Sequence, residues 1–123
     1  MKTLAALLCL LSYATLGADA LRFKATVPLP GVKGRFDHFA FDPSTQRLFV
    51  AALGNNTVEV LETAKPAHFR SLRGFHEPQG VAFITDLGAV AVANGDTGTL
   101  QLIDAATFTT RWTIALPGRK SRS

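Results

Sequence analysis

Phe39 to Thr63 reads FAFDPSTQRLFVAALGNNTVEVLET, and 42 positions further on Val81 to Ala105 reads VAFITDLGAVAVANGDTGTLQLIDA, with no gap needed to align them. Ala40 falls on Ala82, Phe41 on Phe83, Val50-Ala51 on Val92-Ala93 and Thr57 on Thr99. The apolar positions Leu48, Val58, Val60 and Leu61 fall on Val90, Leu100, Leu102 and Ile103. A fixed internal period decides the architecture, because each repeat is one supersecondary unit that cannot bury its apolar surface alone.

Each copy divides into three short runs rich in Val, Phe, Leu and Ala. They are His38 to Phe41, Leu48 to Ala52 and Thr57 to Leu61, then Gly80 to Ile84, Ala89 to Ala93 and Thr99 to Ile103. Runs of this length and composition between turn formers predict strands. Asp42-Pro43-Ser44-Thr45 and Thr85-Asp86-Leu87-Gly88 occupy one turn, and Leu53-Gly54-Asn55-Asn56 and Gly95-Asp96-Thr97-Gly98 the next. Gly and Asn tolerate positive φ, and Pro presets φ for a turn. A fourth strand is expected after each copy, over His68 to Leu72 and Arg111 to Leu116. A similar segment, Phe23 to Leu29, precedes the first copy. It ends in Leu29-Pro30-Gly31, as the last strand ends in Leu116-Pro117-Gly118, 87 residues later.

Four antiparallel strands every 42 to 45 residues is the spacing of a β-propeller blade. Leu48 to Ala52 and Ala89 to Ala93 are apolar on both alternating faces, so their sheet needs cover on both sides, which stacked blades provide. Outside the N-terminus no window holds a 3.6-residue apolar stripe for three turns. The expected fold is therefore all-β. It is a partial β-propeller of about two four-stranded antiparallel blades, residues 35–75 and 76–118, preceded by one leading outer strand and linker over 21–34.

These residues resemble the YVTN repeat family, exported bacterial propellers of the YncE-like kind. The resemblance rests on Leu48-Phe49-Val50-Ala51-Ala52 with Asn55-Asn56-Thr57-Val58-Glu59-Val60-Leu61. It recurs in Ala91-Val92-Ala93-Asn94 with Thr99-Leu100-Gln101-Leu102-Ile103-Asp104. The chain departs from the family pattern at Ala52, where Asn is usual, at Glu62, where Asp is usual, and at Ala91, where an aromatic is usual. The resemblance implies a closed ring of about seven blades, and two blades fall well short of that. The expectation is accordingly a truncated or partial propeller with two uncovered sheet faces through which the chain self-associates.

The first twenty residues have the layout of a secretory signal. Lys2 is followed by the apolar run Leu4 to Leu11 and by Ala18-Asp19-Ala20, a small-x-small cleavage pattern. The apolar run is shorter than the ~20 residues that span a bilayer. Cleavage after Ala20 is expected, with a secreted or periplasmic product and no stable membrane span afterwards. The mature chain, Leu21 to Ser123, loses the single cysteine, Cys9, so no disulfide staples it. Its 12 basic and 8 acidic residues are dispersed, and only Arg119-Lys120-Ser121-Arg122-Ser123 (residues 119–123) forms a basic tail. Basic residues interleaved with stacking aromatics on one face are missing, which argues against a nucleic-acid partner.

Propeller sites sit where loops enter the innermost strands, here Arg35-Phe36-Asp37-His38 and His76-Glu77-Pro78-Gln79. Asp37, His38, His76 and Glu77 are the candidate ligand-binding residues at this channel mouth. Asp37 orienting the His38 imidazole is base chemistry, and the four together offer nitrogen and oxygen to a divalent metal. Polar residues lining a wet channel or bonding turn backbones have the same composition, and the spacing lacks the fixed geometry of a metal motif. No cofactor and no metal is assigned. Gly-x-Ser-x-Gly is absent, and neither Gly31-Val32-Lys33-Gly34 nor Gly95-Asp96-Thr97-Gly98 opens a helix that would cradle phosphate. His68 is expected to be solvated on an outer strand, and Trp112 to be blade packing.

The leading functional reading is a non-catalytic exported propeller segment that binds an unknown ligand or scaffolds. The alternative is an inactive remnant of a propeller enzyme of lactonase or quinoprotein-dehydrogenase type, whose site would draw on further blades.

Overall fold

A computed structural model describes residues 20–118; the expected export signal, apart from its last residue Ala20, and the basic tail lie outside them. Eight strands follow one another in the chain: β1 (Phe39–Asp42), β2 (Arg47–Ala52), β3 (Thr57–Glu62), β4 (Ala67–Leu72), β5 (Pro78–Ile84), β6 (Ala89–Asn94), β7 (Thr99–Asp104) and β8 (Thr110–Ala115). They form two four-stranded antiparallel sheets in the orders β1-β2-β3-β4 and β5-β6-β7-β8. Short 3-10 turns, Leu53–Asn55 and Thr85–Leu87, join β2 to β3 and β5 to β6. Among the described residues no helix is long and apolar enough to cross a membrane.

The strands fall where the repeat puts them, and even their irregularities repeat. The β3–β4 register shifts between Val60 and Leu61, and the β7–β8 register shifts between Leu102 and Ile103, 42 positions later. A bulge at the outer pair increases local twist, so both sheets bend in the same way and nest.

Register decides which side chains meet. Phe49 pairs with Val60 and Ala51 with Val58, placing these four on one face of the first sheet. Val90 pairs with Ile103 on the second sheet, and Val81 with Val92 and Phe83 with Val90. These two faces close on each other. Phe49, Val58, Val60, Leu72, Val90, Val92 and Ile103 form one buried cluster with Phe75 and Ala105, and Val81, Phe83 and Phe108 pack against it. The inner strands β1 and β2 lie against β5. The sheets are stacked as neighbouring blades are, and the stack is not closed.

At the rim, Phe108 holds the stack together. It lies in the β7–β8 turn with φ at 61°, a conformation that costs a bulky residue about 1–3 kcal/mol. Its ring sits 6.4 Å from Phe49 and 6.1 Å from Phe69 of the other sheet. The Arg47 guanidinium lies 4.3 Å from the Phe69 ring centroid and 5.5 Å from that of Phe108. Aromatic and cation–π contacts together offset a strain of that size.

Two expectations need correction. Phe23 to Leu29 forms no strand. Instead Lys24, Ala25 and Val27 lie beside Leu48, Leu61, Thr63 and Pro66 and join neither sheet. Trp112 is not packed between blades. It is 58% exposed, on the face of the second sheet that points away from the first.

Because Phe49 is 1% exposed at the centre of the inter-sheet cluster, Phe49→Ala should cost about 3–5 kcal/mol. Trp112→Ala should stay within about 0.5 kcal/mol, as exposed substitutions do. Urea unfolding of the two variants measures both; equal losses would place the core elsewhere.

Candidate functional site

All the loops that enter the inner strands collect at one end of the two sheets. Residues 35–38 precede β1, 76–77 precede β5, and the turns 53–56 and 95–98 join the middle strands at the same end. Their main chains are tied within each sheet, and the His38 amide donates to the Gln79 carbonyl between the two at 3.4 Å. The Ala51 amide donates to the His38 carbonyl and the Asp37 amide to the Ala51 carbonyl, each at 2.9 Å. The Gly95 amide donates to the Glu77 carbonyl at 2.8 Å. Gly34 and Gly54 meet so closely that a Cβ on Gly34 would stand 2.7 Å from the Gly54 Cα, which fixes the approach of the leading segment to the first sheet.

The structure brings Asp37 and His38 together. The His38 Nδ1 lies 2.7 Å from the Asp37 Oδ1, and the His38 side chain is 69% exposed. This is an imidazole held by a carboxylate and open to solvent. His76 and Glu77 stand on the next loop, and their main-chain amides do structural work. The His76 amide donates to Asn94 Oδ1 at 3.0 Å and the Glu77 amide to Asn56 Oδ1 at 2.8 Å. Glu77 has φ at 50° and Asn56 at 57°; Asn tolerates that region well. Among the described residues no three His, Cys, Asp or Glu side chains converge as metal ligands, so the four candidates do not form one chelating group.

The chemistry-bearing groups that sequence reading missed lie inside the sheets. Glu59 is fully buried on β3. Its Oε1 accepts from Thr57 Oγ1 at 2.5 Å, and its Oε2 accepts from Ser71 Oγ at 2.6 Å and lies 2.7 Å from His68 Nε2. His68 is therefore not solvated as expected; a buried carboxylate draws it in. A nucleophilic serine needs the acid on one imidazole nitrogen and the hydroxyl on the other. Here Ser71 and Glu59 both approach Nε2, so the cluster is structural. The second sheet repeats it in neutral form. Asn94 Nδ2 donates to Gln101 Oε1 at 2.7 Å and to Thr99 Oγ1 at 3.2 Å, with Gln101 and Thr99 at the repeat positions of Glu59 and Thr57. The available signal was a polar side chain recurring at 42 residues inside an otherwise apolar strand.

At the opposite end, two turns are held by carboxylates. Burial alone would raise the Asp42 carboxyl, but hydrogen bonds from the Ser44 and Thr45 side chains and backbones outweigh it and hold it below its ordinary value. Asp104 Oδ1 accepts the Thr107 and Ala106 amides, and Oδ2 binds Arg111, whose Nη1 donates to the Leu87 carbonyl at 2.7 Å. The Thr107 amide first, then Arg111 and the Ala106 amide, hold the Asp104 carboxyl well below the usual carboxylate range. The chain matches no family model, and no curated protein matches it.

Glu59→Ala should destabilise by about 3 kcal/mol, because it strands buried partners without an acceptor. Glu59→Gln should cost clearly less, since Gln101 already fills the equivalent place. Similar losses in chemical denaturation would refute the node. For Asp104 the depressed folded pKa means stability that is present above the ordinary 3.8 and lost as pH falls below it. The wild-type advantage in Tm over Asp104→Asn should be full at pH 6 and shrink below about pH 4; a pH-independent gap would exclude this linkage.

Proposed function

We propose that the chain is an exported segment of a YVTN-type β-propeller with a binding or scaffolding role. The observation that supports this most is the loop end. Its main chain is locked across both sheets by Asn56, Asn94 and the Glu77–Gly95 bond, while the Asp37–His38 pair stays open to solvent. A rigid scaffold that displays a few polar side chains on its loops is a binding arrangement. The secretory layout of residues 1–20 favours a secreted or periplasmic location.

The Asp37–His38 pair also favours a second reading, in which this end is part of a propeller-enzyme site of lactonase or quinoprotein-dehydrogenase type. In that reading His38 acts as a base oriented by Asp37, and residues from further blades complete the site. The two readings separate on metal response. With zinc, manganese or calcium added, the binding reading expects no change in Tm. A metal-dependent rise in Tm that disappears in Asp37→Ala and His76→Ala would replace it with the enzyme reading, because a ligand held only by the folded state stabilises it by mass action.

A further inference from the structure

The two outward faces of the stack are the two halves of the interface already buried inside it. On the first sheet Phe39, Phe41, Leu48, Val50 and Leu61 share the face turned away from the second sheet. Their repeat partners are Val81, Phe83, Val90, Val92 and Ile103, which receive the first sheet. On the second sheet Ala91, Leu100, Leu102 and Ile114 share the outward face. All four sit 42 positions after Phe49, Val58, Val60 and Leu72, which dock onto the second sheet. Each outward face thus carries the pattern of a face that another sheet covers. Phe39 is 68% exposed, Phe41 42% and Ile114 53%.

We propose that copies of this chain associate head to tail, the outward face of the second sheet of one copy covering the outward face of the first sheet of the next. This rests on reading the sheets as propeller blades and adds the partner and the polarity. Side-chain volume supports it. Ala91 lacks the ring of Phe49, and the loss is made up in part by Phe39 in place of Val81 and in part by Leu48, Leu100 and Leu102 in place of Val90, Val58 and Val60, so the new pair of faces has nearly the same total filling distributed differently. Volume-conserving exchanges of this kind are the ones packed interfaces tolerate.

The leading segment marks the same joint. Aligned at 87 residues, Lys24 falls on Arg111, Thr26 on Thr113, Val27 on Ile114, and Leu29-Pro30-Gly31 on Leu116-Pro117-Gly118. Residues 24–27 rest beside Leu48, Leu61 and Pro66, on the flank of the first sheet where the outer strand of a preceding sheet would stand. An incoming copy brings its own outer strand, β8, to that place, and the unpaired leading segment yields to it. The contact is heterologous, because the two surfaces are different; such contacts propagate into rings or open chains.

Phe39→Arg and Ile114→Arg test this at exposed positions, so each variant should keep the wild-type far-UV circular dichroism. In sedimentation velocity the wild-type mass should rise with concentration. Each variant alone should stay monomeric. An equimolar mixture should form a dimer and nothing larger, since the dimer presents only blocked faces. A wild-type chain that remains monomeric at its highest attainable concentration overturns the proposal, as does a variant that dimerises alone or a mixture that stays monomeric. With unchanged dichroism these failures would leave the blade architecture and the loop-end reading standing.

Discussion

The contact on which this molecule depends is the closing of one apolar sheet face onto another. Phe49, Val58 and Val60 on one side and Val90, Val92 and Ile103 on the other exclude water from a single cluster. A four-stranded sheet alone leaves such faces in solvent and has little to hold its strands in register. Stacking supplies both cover and register, because a slip of one residue would turn every buried side chain outward. The rim contact of Phe108 with Phe49 and Phe69 extends the same closure to the outer strands.

Polar groups are then placed so as not to oppose it. Glu59 is buried in an otherwise apolar sheet, and every acceptor it brings finds a donor in Thr57, Ser71 or His68. The equivalent Gln101 is met by Asn94, whose other end accepts an amide from the incoming loop. Among the described residues no buried side-chain nitrogen or oxygen lacks a partner. Buried networks that are fully satisfied specify one arrangement rather than merely adding stability. In this chain they peg the loop end, and so they hold the residues that face solvent there.

Much of this was legible from the 42-residue period. Strand positions, both classes of turn and the sheet order follow from apolar alternation and from where Gly, Asn and Pro interrupt it. The surroundings of individual side chains were less legible. His68 stands on an outer strand and reads as solvated, yet Glu59 nine residues earlier draws it in across the β3–β4 bulge. Trp112 reads as packing because Trp usually is, but its strand turns it to an outward face. Phe23 to Leu29 has the composition of β8 and remains unpaired, since composition states a strand's preference and only an available edge satisfies it. At the loop end the proximity of Asp37 to His38 follows from adjacency, whereas the service of His76 and Glu77 as backbone anchors depends on Asn94 and Asn56, some twenty residues away.

What the amino-acid sequence by itself determined is therefore the repeat, the all-β class and the two-sided apolar character of the sheets, because period-two alternation and turn chemistry are local properties of the chain. Only the tertiary structure decided which of the two apolar faces is covered, which carboxylates are buried and which candidate residues meet. Those outcomes depend on register, bulges and stacking, and they join residues that the chain keeps far apart.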